Sequence, residues 1–122
     1  MVGRLVAGFL AGMVLAATPA AAVDAPYEAD LMRLAEMLGS LHYLRNLCGE
    51  PTTQWRDQME ALLESEKPDD ARRARFTASF NHGYRSFGST YTGCTEAAVA
   101  AIDRYTTEGE ALTREIVSRY GN

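Results

Sequence analysis

Lysine is almost missing from this sequence. Of the 12 basic residues only Lys67 is a lysine, and they face 16 acids, for a formal net charge of -4. Binding nucleic acid through a basic patch is therefore disfavoured, as is adhesion to an anionic membrane surface. Arginine in place of lysine, with abundant alanine, points to a GC-rich bacterial genome. No segment shows the period-two alternation of a strand. There is no internal repeat, and no low-complexity tract beyond the first residues. The short signatures of common chemistries are absent as well. No C-x-x-C suggests thioredoxin-like redox work, no C-x-x-C-H offers haem attachment, and no serine lies in a G-x-S-x-G or S-x-x-K context.

What is present begins with the amino end. Arg4 precedes an apolar run from Leu5 to Ala17, followed by Thr18-Pro19 and Ala20-Ala21-Ala22. A positive start, a short apolar stretch and small residues at the end have the order of a cleavable signal peptide. The run is shorter than the roughly 20 residues that span a bilayer. Residues 1–22 are expected to be removed after Ala22, with Ala20 as the other option. No twin-arginine pair is present, so the general secretion route fits. No cysteine sits at the cleavage point, which disfavours a lipid anchor. Residues 23–122 are then a single domain, expected in the periplasm with no stable membrane insertion.

Cys48 and Cys94 are the only cysteines. An even count in an exported chain reads as one disulfide. Closing so long a loop stabilises by roughly 4 kcal/mol in the chain-entropy model, a large share for a small domain. His42 and His82 could join the cysteines around zinc, but the spacings match no ligand pattern. No metal and no cofactor is expected.

Four helical segments follow one another. After a short extended lead over residues 23–26, Leu31, Leu34, Leu38 and Leu41 form one stripe, widened by Met37, Leu44 and Leu47. Gly39 interrupts it and offers a place for another helix to come close. Gly49 and Pro51 end this first helix. Thr52 or Thr53 can cap a second, carrying Trp55, Met59, Leu62 and Leu63 and ending near Glu66. Pro68 suits the start of a third, capped by Asp69 or Asp70. Its stripe is the strongest in the chain: Phe76, Phe80, Tyr84, Phe87 and Tyr91. Gly88-Ser89-Thr90 and Gly93 break it. Thr95 can cap a fourth helix with Ala98, Ile102, Tyr105, Gly109, Leu112, Ile116 and Tyr120 on one face and Gly121 at its end. The expected fold is all-α: a small antiparallel bundle of about four helices, with the disulfide tying the end of the first helix to the start of the fourth.

Asn81-His82-Gly83-Tyr84-Arg85 is the candidate binding segment. Asn81, His82, Tyr84 and Arg85 together offer hydrogen bonds and ring stacking to a glycan or peptide. The plainer alternative has Phe80, Tyr84 and Phe87 in the core while Asn81, His82 and Arg85 face water. His42 and His82 titrate near neutrality but have no recognisable nucleophile beside them, so no catalytic residue is assigned. Asp69-Asp70 read better as caps than as an acid-base pair, and Glu108-Gly109-Glu110 as a solvated face rather than a cation site. Arg72, Arg73 and Arg75 form a basic cluster that Glu66, Asp69 and Asp70 can neutralise. Trp55, heading its stripe, reads as a core anchor.

Leu44-Arg45 with Cys48-Gly49, Trp55-Arg56, Phe80-Asn81, Gly83-Tyr84-Arg85, Tyr91, Cys94 and Glu108-Gly109 resemble a family of small secreted alphaproteobacterial proteins, conserved hypothetical proteins of unknown function. The resemblance runs from about Leu31 to Ile116. It implies a periplasmic setting and supports the bridge, and it brings no activity with it. The expected function is a non-enzymatic periplasmic interaction protein of the cell envelope, whose partner is a protein or peptidoglycan. The alternatives are a small cell-wall hydrolase or lyase, which needs His82 near a carboxylate in a cleft, and a structural module that self-associates through aromatic residues.

Overall fold

The computed structural model describes residues 25–120 and, ahead of them, only Gly3, Gly8 and Gly12. The expected signal peptide, its cleavage point and Gly121 lie outside the described residues. Four helices account for most of the described chain: α1 (Ala25–Leu47), α2 (Gln54–Glu66), α3 (Asp70–Gly88) and α4 (Glu96–Tyr120). No strand occurs among the described residues. The all-α expectation holds, and so does the bridge between Cys48 and Cys94.

The helix ends follow from local chemistry. Asp69 caps α3, its Oδ1 accepting from the Arg72 N–H at 2.8 Å. Thr95 caps α4 through the Ala98 N–H at 3.2 Å. Gly49, at φ 89, turns the chain out of α1 in the left-handed region that glycine enters without penalty. Lys67 closes α2 in the same region, at φ 44, with its N–H bonded to Leu63 O. Two local expectations need correction. The lead over residues 23–26 is not extended at its end, because Ala25 and Pro26 already belong to α1. Proline fits a first turn, where its missing N–H deprives no carbonyl of a partner. Thr53 stands at the N-cap of α2 without capping it. Its hydroxyl donates to Asp57 Oδ2 instead, and Thr52 Oγ1 accepts from the Gln54 N–H.

Helix α1 is the hub. It packs against all three other helices, α2 also touches α3, and the backbone of α4 comes close to α1 alone. Tyr27 at the start of α1 meets Glu66 and Tyr120, while Leu44 near its end sits with Ala98. Both α2 and α4 therefore run antiparallel to α1. Glu28 pairs with Arg72, and Tyr43 donates to the Tyr91 carbonyl, so α3 runs parallel to α1. Bundle order up, down, up, down results, but the most intimate contact is between the two parallel helices.

That contact depends on residues without bulk. A Cβ at Gly39 would overlap the carbonyl of Phe80, and one at Gly83 would overlap the carbonyl of Glu36. Ser40, fully buried between them, returns its hydroxyl to Glu36 O at 3.0 Å and so leaves no polar atom unmet. With Ala35, Gly39 and Ser40 buried toward α3, and Leu31, Leu38, Leu41 and Leu44 buried elsewhere, α1 has almost no solvent face in its middle.

The core divides along α1. One cluster gathers Leu31, Ala35, Leu38, Met59 and Phe76, and the other Leu41, Leu44, Ala98, Ala101 and Ile102. Trp55, half-buried, packs against both. Each end is pinned by something other than apolar contact. The disulfide joins the chain just beyond α1 to the segment before α4, next to the second cluster. Beside the first cluster, Arg72 holds Glu28 and Glu66.

Candidate functional site

The helical rotation of α3 divides the four candidate binding residues. Successive side chains turn by about 100° on an α-helix, so neighbours in sequence need not share a face. His82 and Arg85 are exposed on the outer side of α3, along an open strip that also carries Arg73, Thr77 and Ser89. Tyr84 turns the other way, toward α1. Its ring lies 5.7 Å from that of His42 and meets Tyr43 edge-on at 5.3 Å. Asn81 stands on the ridge between the two surfaces and borders both.

The inward side of that ridge is a shallow groove of about 440 Å³ between α1, α2 and α3. His42 comes from α1, Arg56 and Glu60 from α2, and Phe80, Asn81 and Tyr84 from α3. The rings of His42, Phe80 and Tyr84 form its wall, with His42 6.0 Å from Phe80. Phe80 is half-buried against the core, whereas Tyr84 keeps 41% of its surface exposed. Phe80 and Phe87 thus pack half-buried against the core and His82 and Arg85 face water, while Asn81 is half-buried and Tyr84 stays exposed rather than joining the core. Partial burial pushes the His42 pKa down, helped by the Arg56 charge and opposed by Asp57. Asn46 fixes the ring's backbone, its amide donating to His42 O at 2.6 Å. A neutral imidazole beside an exposed phenol, an amide, a guanidinium and a carboxylate can stack on a ring or sugar face and exchange hydrogen bonds around its edge.

His42 and His82 do not converge. Among the described residues no carboxylate is bonded to either ring, and no group of three or more His, Cys, Asp or Glu side chains gathers as a metal would need. Asp69 is a cap. Glu108 pairs with Arg33 across helices at 3.0 Å.

Sequence reasoning missed a side chain that bonds to two carboxylates on two other helices. Within the basic cluster Arg72 differs from Arg73: it is buried, and it takes Glu28 as well as the anticipated Glu66. Arg72 and Arg73 look alike in sequence. The signal that separates them is register, since Arg72 lies four residues before the buried Phe76 on the same face.

The chain matches the sequence model of a family described as "Protein of unknown function (DUF2385)" over residues 26–120. It belongs to the DUF2385 family. The matched span of this DUF2385 chain takes in the four helices, both cysteines and the Asn81–Arg85 segment, and the similarity read between Leu31 and Ile116 falls inside it. No curated protein and no solved structure matches it.

Proposed function

We propose that this chain is an exported, non-enzymatic interaction protein of the bacterial cell envelope, working in the periplasm. The observation that carries the proposal is the exposed Tyr84 ring, set against His42 and Tyr43 at the lip of a polar groove. An aromatic ring held by neighbouring rings loses little freedom on binding, and it offers a face to a sugar or a side chain. The amino-terminal pattern of Arg4, the apolar run and Ala20-Ala21-Ala22 supports export, and the disulfide fits an oxidising compartment. The secreted setting implied by the family resemblance agrees with this. No described helix is long and apolar enough to cross a membrane.

The partner is an envelope protein or peptidoglycan, and the two are separated by one set of experiments. Tagged protein is used to draw partners from a periplasmic extract and, separately, is sedimented with purified peptidoglycan. Tyr84→Ala and Asn81→Ala should abolish whichever capture occurs, with unchanged thermal unfolding. Arg85→Ala reports on the outer face of α3. Capture that survives Tyr84→Ala and Asn81→Ala together would overturn the proposal.

A further inference from the structure

The groove at Tyr84 contains a side chain whose orientation is fixed from behind. His42 leans on the rings of Phe80 and Tyr84 at 38° and 35°, and its Nδ1 faces Asn46 Nδ2 at 3.4 Å. The Asn46 amide is not free to turn over. Its Oδ1 accepts from the Thr52 N–H at 3.2 Å, and its Nδ2 donates to the carbonyls of His42 and Thr52 at 2.6 and 3.1 Å. A backbone N–H only donates and a carbonyl only accepts, so a turned amide would lose all three bonds. Nδ1 therefore meets amide hydrogens, and a proton placed on it would point at them.

Burial and the Arg56 charge favour the neutral ring. A neutral imidazole carries one N–H, and here it belongs to Nε2. That nitrogen has no hydrogen-bond partner among the described residues, and it remains open to solvent. His42 thus offers the groove an unspent donor. Around it the charges balance: Arg56 and Glu60 stand 4.0 Å apart, both well exposed. A charged ligand would gain from one what it loses to the other.

We infer that the groove binds an uncharged N-acetylated sugar, its ring face on Tyr84 and its acetamido carbonyl accepting from His42 Nε2, with Asn46 as the positioning residue. Sugar hydroxyls donate and accept at once, which suits a rim holding a guanidinium, a carboxylate and the Asn81 amide. The acetyl methyl suits half-buried Phe80. The groove's volume of about 440 Å³ lies within the range of small-ligand sites, about 300–1,000 Å³. This inference rests on the reading of the groove as the contact surface, and it narrows the partner to the glycan of peptidoglycan.

Nitrogen-15 spectra of the two histidine rings test it. His42 should show the Nε2–H tautomer and shift saturably with N,N′-diacetylchitobiose, with a Kd of about 1 mM. His82, on the outer side of α3, should not move. Cellobiose, which has a hydroxyl in place of each acetamido group, should bind about fivefold to tenfold more weakly, the loss of one hydrogen bond. His42→Phe keeps the ring packing and removes the donor. Followed by backbone amide shifts, it should bind both sugars at the cellobiose level, with unchanged thermal unfolding. Asn46→Ala should release His42 into a mixture of tautomers and weaken diacetylchitobiose binding while leaving cellobiose binding as it was. The inference is overturned by the absence of a saturable shift up to about 10 mM, by equal affinity for the two sugars, by an Nδ1–H tautomer in the parent, or by His42→Phe binding diacetylchitobiose as the parent does. Tighter binding of N-acetyltyrosine amide, an uncharged peptide-like probe with a ring and the same carbonyl, would assign the groove to a protein partner and likewise overturn it. In each of these cases the interaction role stands if Tyr84→Ala still loses envelope capture. Capture that survives Tyr84→Ala with Asn81→Ala, beside intact sugar binding in the parent, would remove the wider role and leave the sugar site.

Discussion

Arg72, in the first turn of α3, grips Glu28, in the first turn of α1, through both carboxylate oxygens. Its Nε lies 3.0 and 2.9 Å from Oε1 and Oε2, and its Nη2 lies 2.7 Å from Oε2. The same Nη2 donates to Glu66 Oε2 at 2.9 Å, and the guanidinium lies 5.0 Å from the Phe76 ring centre. One side chain thus ties three helices together. The bonds to Glu28 and then to Glu66 outweigh its partial burial and raise its pKa, so it stays charged throughout. Arg72→Met keeps the apolar stem but leaves two largely shielded carboxylates facing each other. Breaking a buried pair costs about 3–5 kcal/mol, and the partial exposure of Glu28 and Glu66 reduces this to about 2–3 kcal/mol here. Urea unfolding measures the loss. Adding Glu28→Gln and Glu66→Gln should recover part of it, and a single variant as stable as the parent would refute the clamp.

Tyr27 supplies an alkaline transition. Its hydroxyl donates to Glu66, and burial first, then that bond, raises its pKa from 10.0 to about 12. The protonated phenol is thus favoured in the folded state. Its stabilising contribution is complete below pH 10.0, declines as pH rises, and is gone above about 12. Stability measured across that window should fall in the parent and fall less steeply in Tyr27→Phe. Parallel curves for the two would show that folding does not raise the Tyr27 pKa.

The glycines predict opposite signs at different sites. Gly39→Ala and Gly83→Ala each place a methyl on a backbone carbonyl across the α1–α3 contact. Carbonyls cannot swing aside as side chains do, so the helices must separate. The expected cost is about 2 kcal/mol or more, even after the better helix propensity of alanine is credited. Gly109→Ala should do the reverse. Its new methyl would meet only the flexible end of Met37 at 3.5 Å, an ordinary contact. A gain of about 0.5–1 kcal/mol follows from propensity alone. Thermal melts of the three variants decide the matter.

Much of this architecture is written locally. Asp69, Thr95 and Gly49 mark their helix ends by the bonds or dihedrals they can supply themselves, and the Leu31–Leu41 and Ala98–Tyr120 stripes declare one face each. The rest depends on partners far off in sequence. The face of α1 that meets α3 carries Ala35, Gly39 and Ser40, which register as no hydrophobic stripe because their contribution is closeness rather than bulk. Glu28 gives no local sign that an arginine 44 positions later will claim it. The division of the candidate segment was available in principle. Tyr84 and Arg85 are adjacent, but the helix turns them apart, and it was the aromatic spacing of Phe80, Tyr84 and Phe87 that already placed Tyr84 on the inward side.

The disulfide gives a fourth test. Cys48 and Cys94 are 46 positions apart, with all of α2 and α3 between them. Reduction should lower unfolding free energy by roughly 4 kcal/mol in the chain-entropy model. Cys48→Ser with Cys94→Ser should match the reduced parent and become insensitive to reductant. A double variant as stable as the oxidised parent would mean that the bridge adds nothing.

The hub position of α1 has a consequence for the order of events in synthesis. The helix that every other helix needs is the first to be made, and its tightest companion, α3, follows only after α2. Until then its middle is apolar on nearly every side and has nothing to lie against, so a lone α1 gains little by settling. Lasting structure is therefore expected only once α3 has joined α1, when most of the described chain is present.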